Sequence, residues 1–205
     1  MFLHLHPRHY FKKDRHFYVC SFGGCGSWVL SSYLKQFGVV HHVHSRNPPP
    51  VAVTKVVGEH FTQDPSHALH HVVIYLYRDP VTSLLSVKRR FPLVDHFKNI
   101  GAPDPTVSLE TLADSRQDLI GLTDFFRNYT TPSSQRKYPI YCVKYELLFD
   151  NFHTLNYALG LIDYPKLYPR KKETTTELPA GCAGLRETYR TLQMEMDRRP
   201  FLSVA

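Results

Sequence analysis

Phe17-Tyr-Val-Cys-Ser-Phe-Gly-Gly-Cys-Gly-Ser27 is an apolar run that ends in a glycine-rich turn. Tyr18 to Phe22 are β-branched, aromatic or small, which suits a strand buried on both faces. Gly23, Gly24 and Gly26 let the backbone turn sharply and approach a ligand closely. Ser27 then opens an apolar periodicity, Val29, Leu30, Tyr33, Leu34 and Phe37, that predicts a helix ending at Gly38. A strand, a glycine turn and a helix N-terminus make an anion cradle, because unpaired N–H groups and the positive end of the helix dipole point at one spot. An ordinary strand-to-helix turn is the alternative reading of the same residues. The loop lacks G-x-x-x-x-G-K-[ST] and no lysine follows its glycines, which disfavours a nucleoside triphosphatase of the usual kind.

A second segment, His71-Val-Val-Ile-Tyr-Leu-Tyr-Arg-Asp-Pro80, repeats the design: an apolar run, then Arg78, then a proline near the start of a helical pattern with Val81, Leu84, Leu85 and Ser86. Arg78 is thereby placed at the C-terminal edge of a buried strand, where open α/β sheets put their ligands. Ser86 lies about two helical turns beyond Arg78, so the pair is placed to grip one phosphate from two sides.

With both segments in hand, the chain resembles the sulfotransferases that use 3′-phosphoadenosine 5′-phosphosulfate (PAPS). In that family an N-terminal strand-loop-helix, often Pro-Lys-Ser-Gly-Thr-Thr, holds the 5′-phosphosulfate, and Ser21-Phe-Gly-Gly-Cys-Gly-Ser27 occupies the matching place. The family's arginine and serine for the 3′-phosphate match Tyr77-Arg-Asp-Pro-Val-Thr-Ser-Leu-Leu-Ser86, and its late strand and Tyr-Glu-x-Leu turn match Ile140-Tyr-Cys-Val-Lys-Tyr-Glu-Leu-Leu148. The match runs from Phe17 to Asn151. It implies a three-layer α/β/α fold with a central parallel sheet and P-loop-like nucleotide binding. It implies that Gly23, Gly24, Cys25, Gly26, Ser27 and Trp28 cradle the 5′-phosphosulfate while Arg78 and Ser86 hold the 3′-phosphate. It further implies PAPS as sulfonate donor, its bisphosphate product PAP, no metal, and a hydroxyl-bearing acceptor such as a glycan, lipid or small molecule. His60, with Glu59 as second choice, takes the place of the family's base, and Tyr145 and Glu146 are expected to secure the architecture.

One departure matters. Where the family loop supplies a lysine, this chain has Gly24. A cation aimed at charge developing on the leaving group is commonly worth about a hundredfold or more in rate. Arg46, Lys55 and the group Lys12, Lys13 and Arg15 are candidate replacements. A catalytically weak PAPS or PAP binder is therefore the alternative to an enzyme. A P-loop kinase-like phosphotransferase is a third reading, opposed by the absent GK[ST] and by the lack of a clear magnesium-binding carboxylate.

Other residues offer weaker chemistry. His41, His42 and His44 invite a zinc reading, but in a strand His42 and His44 share a face and His41 points away. His42 or His44, with Arg46 and Asn47, is an alternative lining for an acceptor pocket. Cys20, Cys25, Cys142 and Cys182 include no C-x-x-C pair. Cys25, near a helix N-terminus, is the one thiol placed to be reactive.

The 205 residues, 42% hydrophobic, are most simply one domain, with 1–16 as an N-terminal extension and 164–184 as a lid or loop region. A net charge of +7 favours an anionic partner. The basic residues are spread, without an RNA-binding signature or zinc-finger spacing, which argues against nucleic acid. No run of eighteen apolar residues and no secretory leader are seen, so the expectation is a cytoplasmic protein, or a Golgi-luminal one if the chain is a truncation. Strand-like runs near 17–22, 39–44, 52–57, 71–77 and 138–144 alternate with helical patterns after Ser27, Val81, Ser115 and Asp150, which predicts βαβ units. A last helix is expected from Leu185 to Arg198.

Overall fold

The computed structural model describes residues 15–49, 55–57, 60–62, 71–136, 138–161, 168–169 and 177–205. In chain order the elements are β1 (His16–Cys20), α1 (Ser27–Leu34), β2 (Val39–Val43), β3 (Lys55–Val57), β4 (His60–Thr62), β5 (His71–Tyr77), α2 (Pro80–Lys88), α3 (Leu93–Asn99), α4 (Leu109–Ser115), α5 (Leu122–Thr130), β6 (Ile140–Lys144), α6 (Tyr145–Leu148), α7 (Phe152–Ala158), α8 (Leu185–Thr188), α9 (Arg190–Asp197) and β7 (Leu202–Val204).

The central sheet has five strands in the order β2-β1-β5-β6-β7, the first four parallel and β7 antiparallel to β6. The strict alternation of side chains along a strand divides the apolar residues between two faces. Phe17, Val19, Ile74, Leu76 and Val143 pack with Leu30, Tyr33 and Leu34 of α1 and with Phe152 and Leu155 of α7. Tyr18, Cys20, Tyr75, Tyr77, Ile140 and Cys142 pack with residues of α2 to α5, α8 and α9. Each such side chain, fully buried, contributes about 1.5–3 kcal/mol, so helices on both faces are what make the continuous apolar runs of β1 and β5 stable as strands.

This strand order positions the site. The chain leaves β1 to form β2 on one side and returns to form β5 on the other, so the connections diverge at the C-terminal ends of β1 and β5. Such a switch point opens a crevice at the sheet edge. Residues 21–27 and Arg78 both follow directly from those strand ends.

Four expectations are corrected. The run at 52–57 does not enter the parallel sheet; β3 pairs antiparallel with β4, Val57 opposite His60. Only two residues separate the end of β3 from the start of β4, a spacing too short to join parallel strands. The helix expected after Ser115 ends there instead, with Arg116 left-handed (φ 53°), and α5 starts at Leu122. The last helix is interrupted at Tyr189 and divides into α8 and α9. Finally, the sheet is not wholly parallel, because β7 returns beside β6, locked by mutual backbone bonds between Ile140 and Ala205 (2.9 and 3.0 Å).

Among the described residues no helix is long and apolar enough to cross a membrane. Residues 1–14 of the expected N-terminal extension, Glu59, and most of the expected lid at 164–184 lie outside the described residues.

Candidate functional site

The glycine loop leaves the sheet at Ser21, whose N–H still bonds to the Val43 carbonyl at 3.2 Å. Gly24 is left-handed (φ 68°), and a Cβ there would run into the backbone carbonyl of Ser83 in α2. Gly26, also left-handed (φ 74°), precedes α1, and a Cβ there would run into the Tyr145 ring. The loop is therefore pressed between α2 and α6 and held in one shape. Among the described residues no acceptor faces the backbone N–H groups of Gly23, Gly24, Cys25, Gly26, Ser27 or Trp28; the first paired amide of α1 is that of Val29, which donates to the Gly26 carbonyl at 2.9 Å. A run of fixed, unpaired N–H groups at the positive end of a helix is suited to an anion.

Arg78 comes to this loop from β5. Its Nη1 donates to the Gly24 carbonyl at 3.4 Å, its guanidinium carbon stands 4.9 Å from the centre of the Tyr145 ring, and its Nε is buried without a hydrogen-bond partner. Glu146 accepts the Asp79 N–H at 2.9 Å, and Asp79 in turn caps α2 by accepting from the Thr82 N–H. Tyr145 and Glu146 thus fix the segment carrying Arg78, consistent with an architectural role.

Ser86 is buried, and among the described residues it is hydrogen-bonded to Arg90 rather than to Arg78. Its hydroxyl accepts from Arg90 Nη2, and its carbonyl accepts from Arg90 Nε at 3.1 Å. Burial pushes the Tyr145 phenol pKa up, while the charges of Arg78 and Arg90 both pull it down. Tyr145 therefore lies within electrostatic reach of both the Arg78 and the Arg90 guanidinium groups.

The opposite flank of the loop is lined by imidazoles. His42 Nε2 is 2.7 Å from the Ser27 hydroxyl, the His42 and His44 rings are 4.4 Å apart, and His44 Nδ1 donates to the Ser21 carbonyl at 2.8 Å. His96 of α3 stands edge-on to His44 at 5.7 Å, and its ring borders Gly23. Burial and then the neighbouring His44 lower the pKa of both His42 and His96 to about 4. Trp28, 64% exposed, meets His42 edge-on at 6.3 Å.

Several expected residues stand elsewhere. Arg46 spends its guanidinium on the carbonyls of Gly101 (2.8 Å), Ile120 (2.6 Å) and Gly121 (2.9 Å), and Arg15 bonds to the carbonyls of Leu159 and Gly160, so neither replaces the loop lysine. His41 points to the other face, against His16 and Tyr18, and the imidazoles of 41–44 do not converge. Cys25 is not a reactive thiol. It is buried, donates to the Gly23 carbonyl at 3.0 Å, and burial pushes its pKa up to about 11. Glu59 is outside the described residues, and His60 is described as the first residue of β4.

Arg90 and His96 belong to the site without having been singled out in the sequence. Arg90 follows Ser86 by one helical turn, a spacing that brings side chains together and was legible in principle. His96 carries no local signal; only the packing of α3 brings it to Gly23. Comparison of the chain with family models, with curated proteins and with solved structures finds no match.

Proposed function

We propose that this protein binds PAPS in a P-loop-like manner at the β1–β5 switch point and transfers its sulfonate to a hydroxyl of a glycan, lipid or small molecule. The observation that carries this reading is the convergence of two features on one loop: consecutive N–H groups from Gly23 to Trp28 that are unpaired among the described residues, and the Arg78 guanidinium against Gly24. The loop amides and Ser27 would hold the 5′-phosphosulfate, and Arg78 with Ser86 and Arg90 the 3′-phosphate. The acceptor oxygen forms a bond to sulfur as the bond from sulfur to the bridging 5′-phosphate oxygen breaks. The acceptor proton passes to His60 or Glu59, and PAP departs.

A second reading, a nucleotide binder with weak transfer, is favoured by Gly24 itself. Its left-handed backbone against the Ser83 carbonyl leaves no room for any side chain where the resembled sulfotransferases place lysine.

Binding is tested by thermal denaturation. PAP at about a hundred times its Kd adds about 2.7 kcal/mol, which raises the melting temperature of a chain this size by about 5–10 °C, with ATP and magnesium giving much less. Arg78→Ala abolishes the shift; an unchanged shift removes Arg78 from the site. Labelled PAPS offered to glycans, lipids and phenols then separates enzyme from binder.

A further inference from the structure

The anion cradle has no lysine, and Gly24 has no room for one. What stands along it instead is the row of His42, His44 and His96. The row starts at Ser27, where the His42 Nε2 sits 2.7 Å from the hydroxyl, and ends at Gly23. There His96, 8% exposed, has an Nε2 without a hydrogen-bond partner, and a Cβ on Gly23 would stand 2.6 Å from its Cε1 and 2.9 Å from that nitrogen. An imidazole therefore stands at each end of the glycine loop.

We infer that the cradle takes its counter-charge as a proton: a phosphate or sulfonate group seated on the loop is bound with His42 as the imidazolium, whose Nε2–H donates to Ser27 and turns the Ser27 hydroxyl onto the anion. The inference rests on the loop being the seat of the nucleotide's 5′ anion.

The hydrogen bond admits two proton counts, which the experiment separates. A neutral His42 in its Nδ1–H tautomer accepts the Ser27 proton at Nε2, and that hydroxyl has none left for a ligand, whereas the Nε2–H tautomer donates to Ser27 without taking up a proton. Once Nε2 is protonated it becomes the donor, the Ser27 oxygen accepts, and the hydroxyl proton is released toward the cradle. The described groups facing His42 are Ser27 and Trp28 of α1 and His44 beyond β2, with His96 of α3 facing His44 in turn. His42 is exposed as a residue, but partial burial of its ring and then His44 lower its pKa to about 4, so it is neutral at pH 7 in the empty site. An adjacent anion draws that pKa upward. Between the empty and occupied values, each pH unit of acidification strengthens binding about tenfold, and below about pH 4 the gain ends because His42 is already charged.

The experiment is calorimetric titration of the full chain with PAP near pH 6, in two buffers of different ionisation enthalpy. Because PAP itself titrates, the decisive quantity is the difference between wild type and His42→Gln. Wild type is expected to take up about one proton more, and the tenfold-per-unit gain in affinity between pH 7 and 5 is expected to vanish in the variant. Histidine side-chain NMR on wild type, with and without PAP, follows the His42 pKa directly and does not depend on the variant folding. PAP binding with equal proton uptake, or with the His42 pKa unmoved, overturns the inference and leaves the nucleotide site standing. No PAP binding anywhere between pH 5 and 8 overturns the nucleotide reading, and this inference with it.

Discussion

Helices α1 and α5 both start from a left-handed glycine, Gly26 (φ 74°) and Gly121 (φ 64°), yet the two ends are finished in opposite ways. At α5 the Asp118 carboxylate accepts the N–H groups of Leu122 (2.9 Å) and Thr123 (2.7 Å), while Arg46 covers the carbonyls of Ile120 and Gly121. The chain thus satisfies that end by itself. At α1 no side chain among the described residues caps the helix, and the nearest polar side chains shown are the His42 imidazole and the Ser27 hydroxyl, bonded to each other. A carboxylate there would occupy the amides and repel an incoming anion. A neutral imidazole does neither. A glycine turn therefore makes a helix end, and the side chain across from it decides whether that end is structure or site.

The largest test of this difference is Gly24→Lys, which places in the open loop the lysine that PAPS sulfotransferases carry in theirs. Left-handed backbone and the Ser83 carbonyl both oppose the new Cβ. The expected result is a loss of about 3–5 kcal/mol, read as a melting temperature lower by about 10 °C, and no gain in sulfonate transfer. A stable Gly24→Lys protein that transfers sulfonate faster than wild type would show that the loop can reshape and that its present form is not imposed by packing.

Acid probes the open end next. His96 is 8% exposed, and its folded pKa of about 4, depressed first by burial and then by His44, lies below the ordinary histidine value near 6.5. The fold therefore prefers neutral His96. The stability this represents is fully present above about pH 6.5 and is lost as pH falls toward 4, a change of about 3 kcal/mol. Urea denaturation across that range should show the loss in wild type and a flatter profile in His96→Gln. An equally steep variant would assign the acid sensitivity to other groups.

How much of this was legible in the sequence depends on how local each feature is. The β1 strand, the glycine turn, the start of α1 and the Arg78 strand end were readable because each is encoded within a few consecutive residues. The cap of α4 was local too: Ser108 accepts the Thr111 N–H at 3.0 Å, and its position ahead of an apolar run marks a helix start that periodicity alone passed over. The partners of the loop were not readable, because Ser83, His96 and Tyr145 come from three later elements and only the parallel crossovers bring them together. Arg46 shows the same limit. Its charge made it a candidate cation, but the carbonyls at the start of α5 that consume it lie more than seventy residues away.

The smallest effects separate the two ends most cleanly. Asp118→Ala leaves two amides of α5 without their acceptor and removes the partner of the buried Tyr189 hydroxyl, which lies 3.1 Å from Asp118 Oδ1. That costs about 2 kcal/mol in urea denaturation and should leave the PAP affinity of the remaining folded protein as it was. Ser27→Ala breaks one hydrogen bond whose other partner, His42, is exposed and finds water instead. Its stability should change by less than about 1 kcal/mol, while PAP affinity near pH 6 falls about tenfold and loses most of its dependence on acid. If Ser27→Ala instead destabilises the fold as much as Asp118→Ala and leaves affinity untouched, Ser27 is a structural cap. The start of α1 would then be closed like that of α5, by a weaker group.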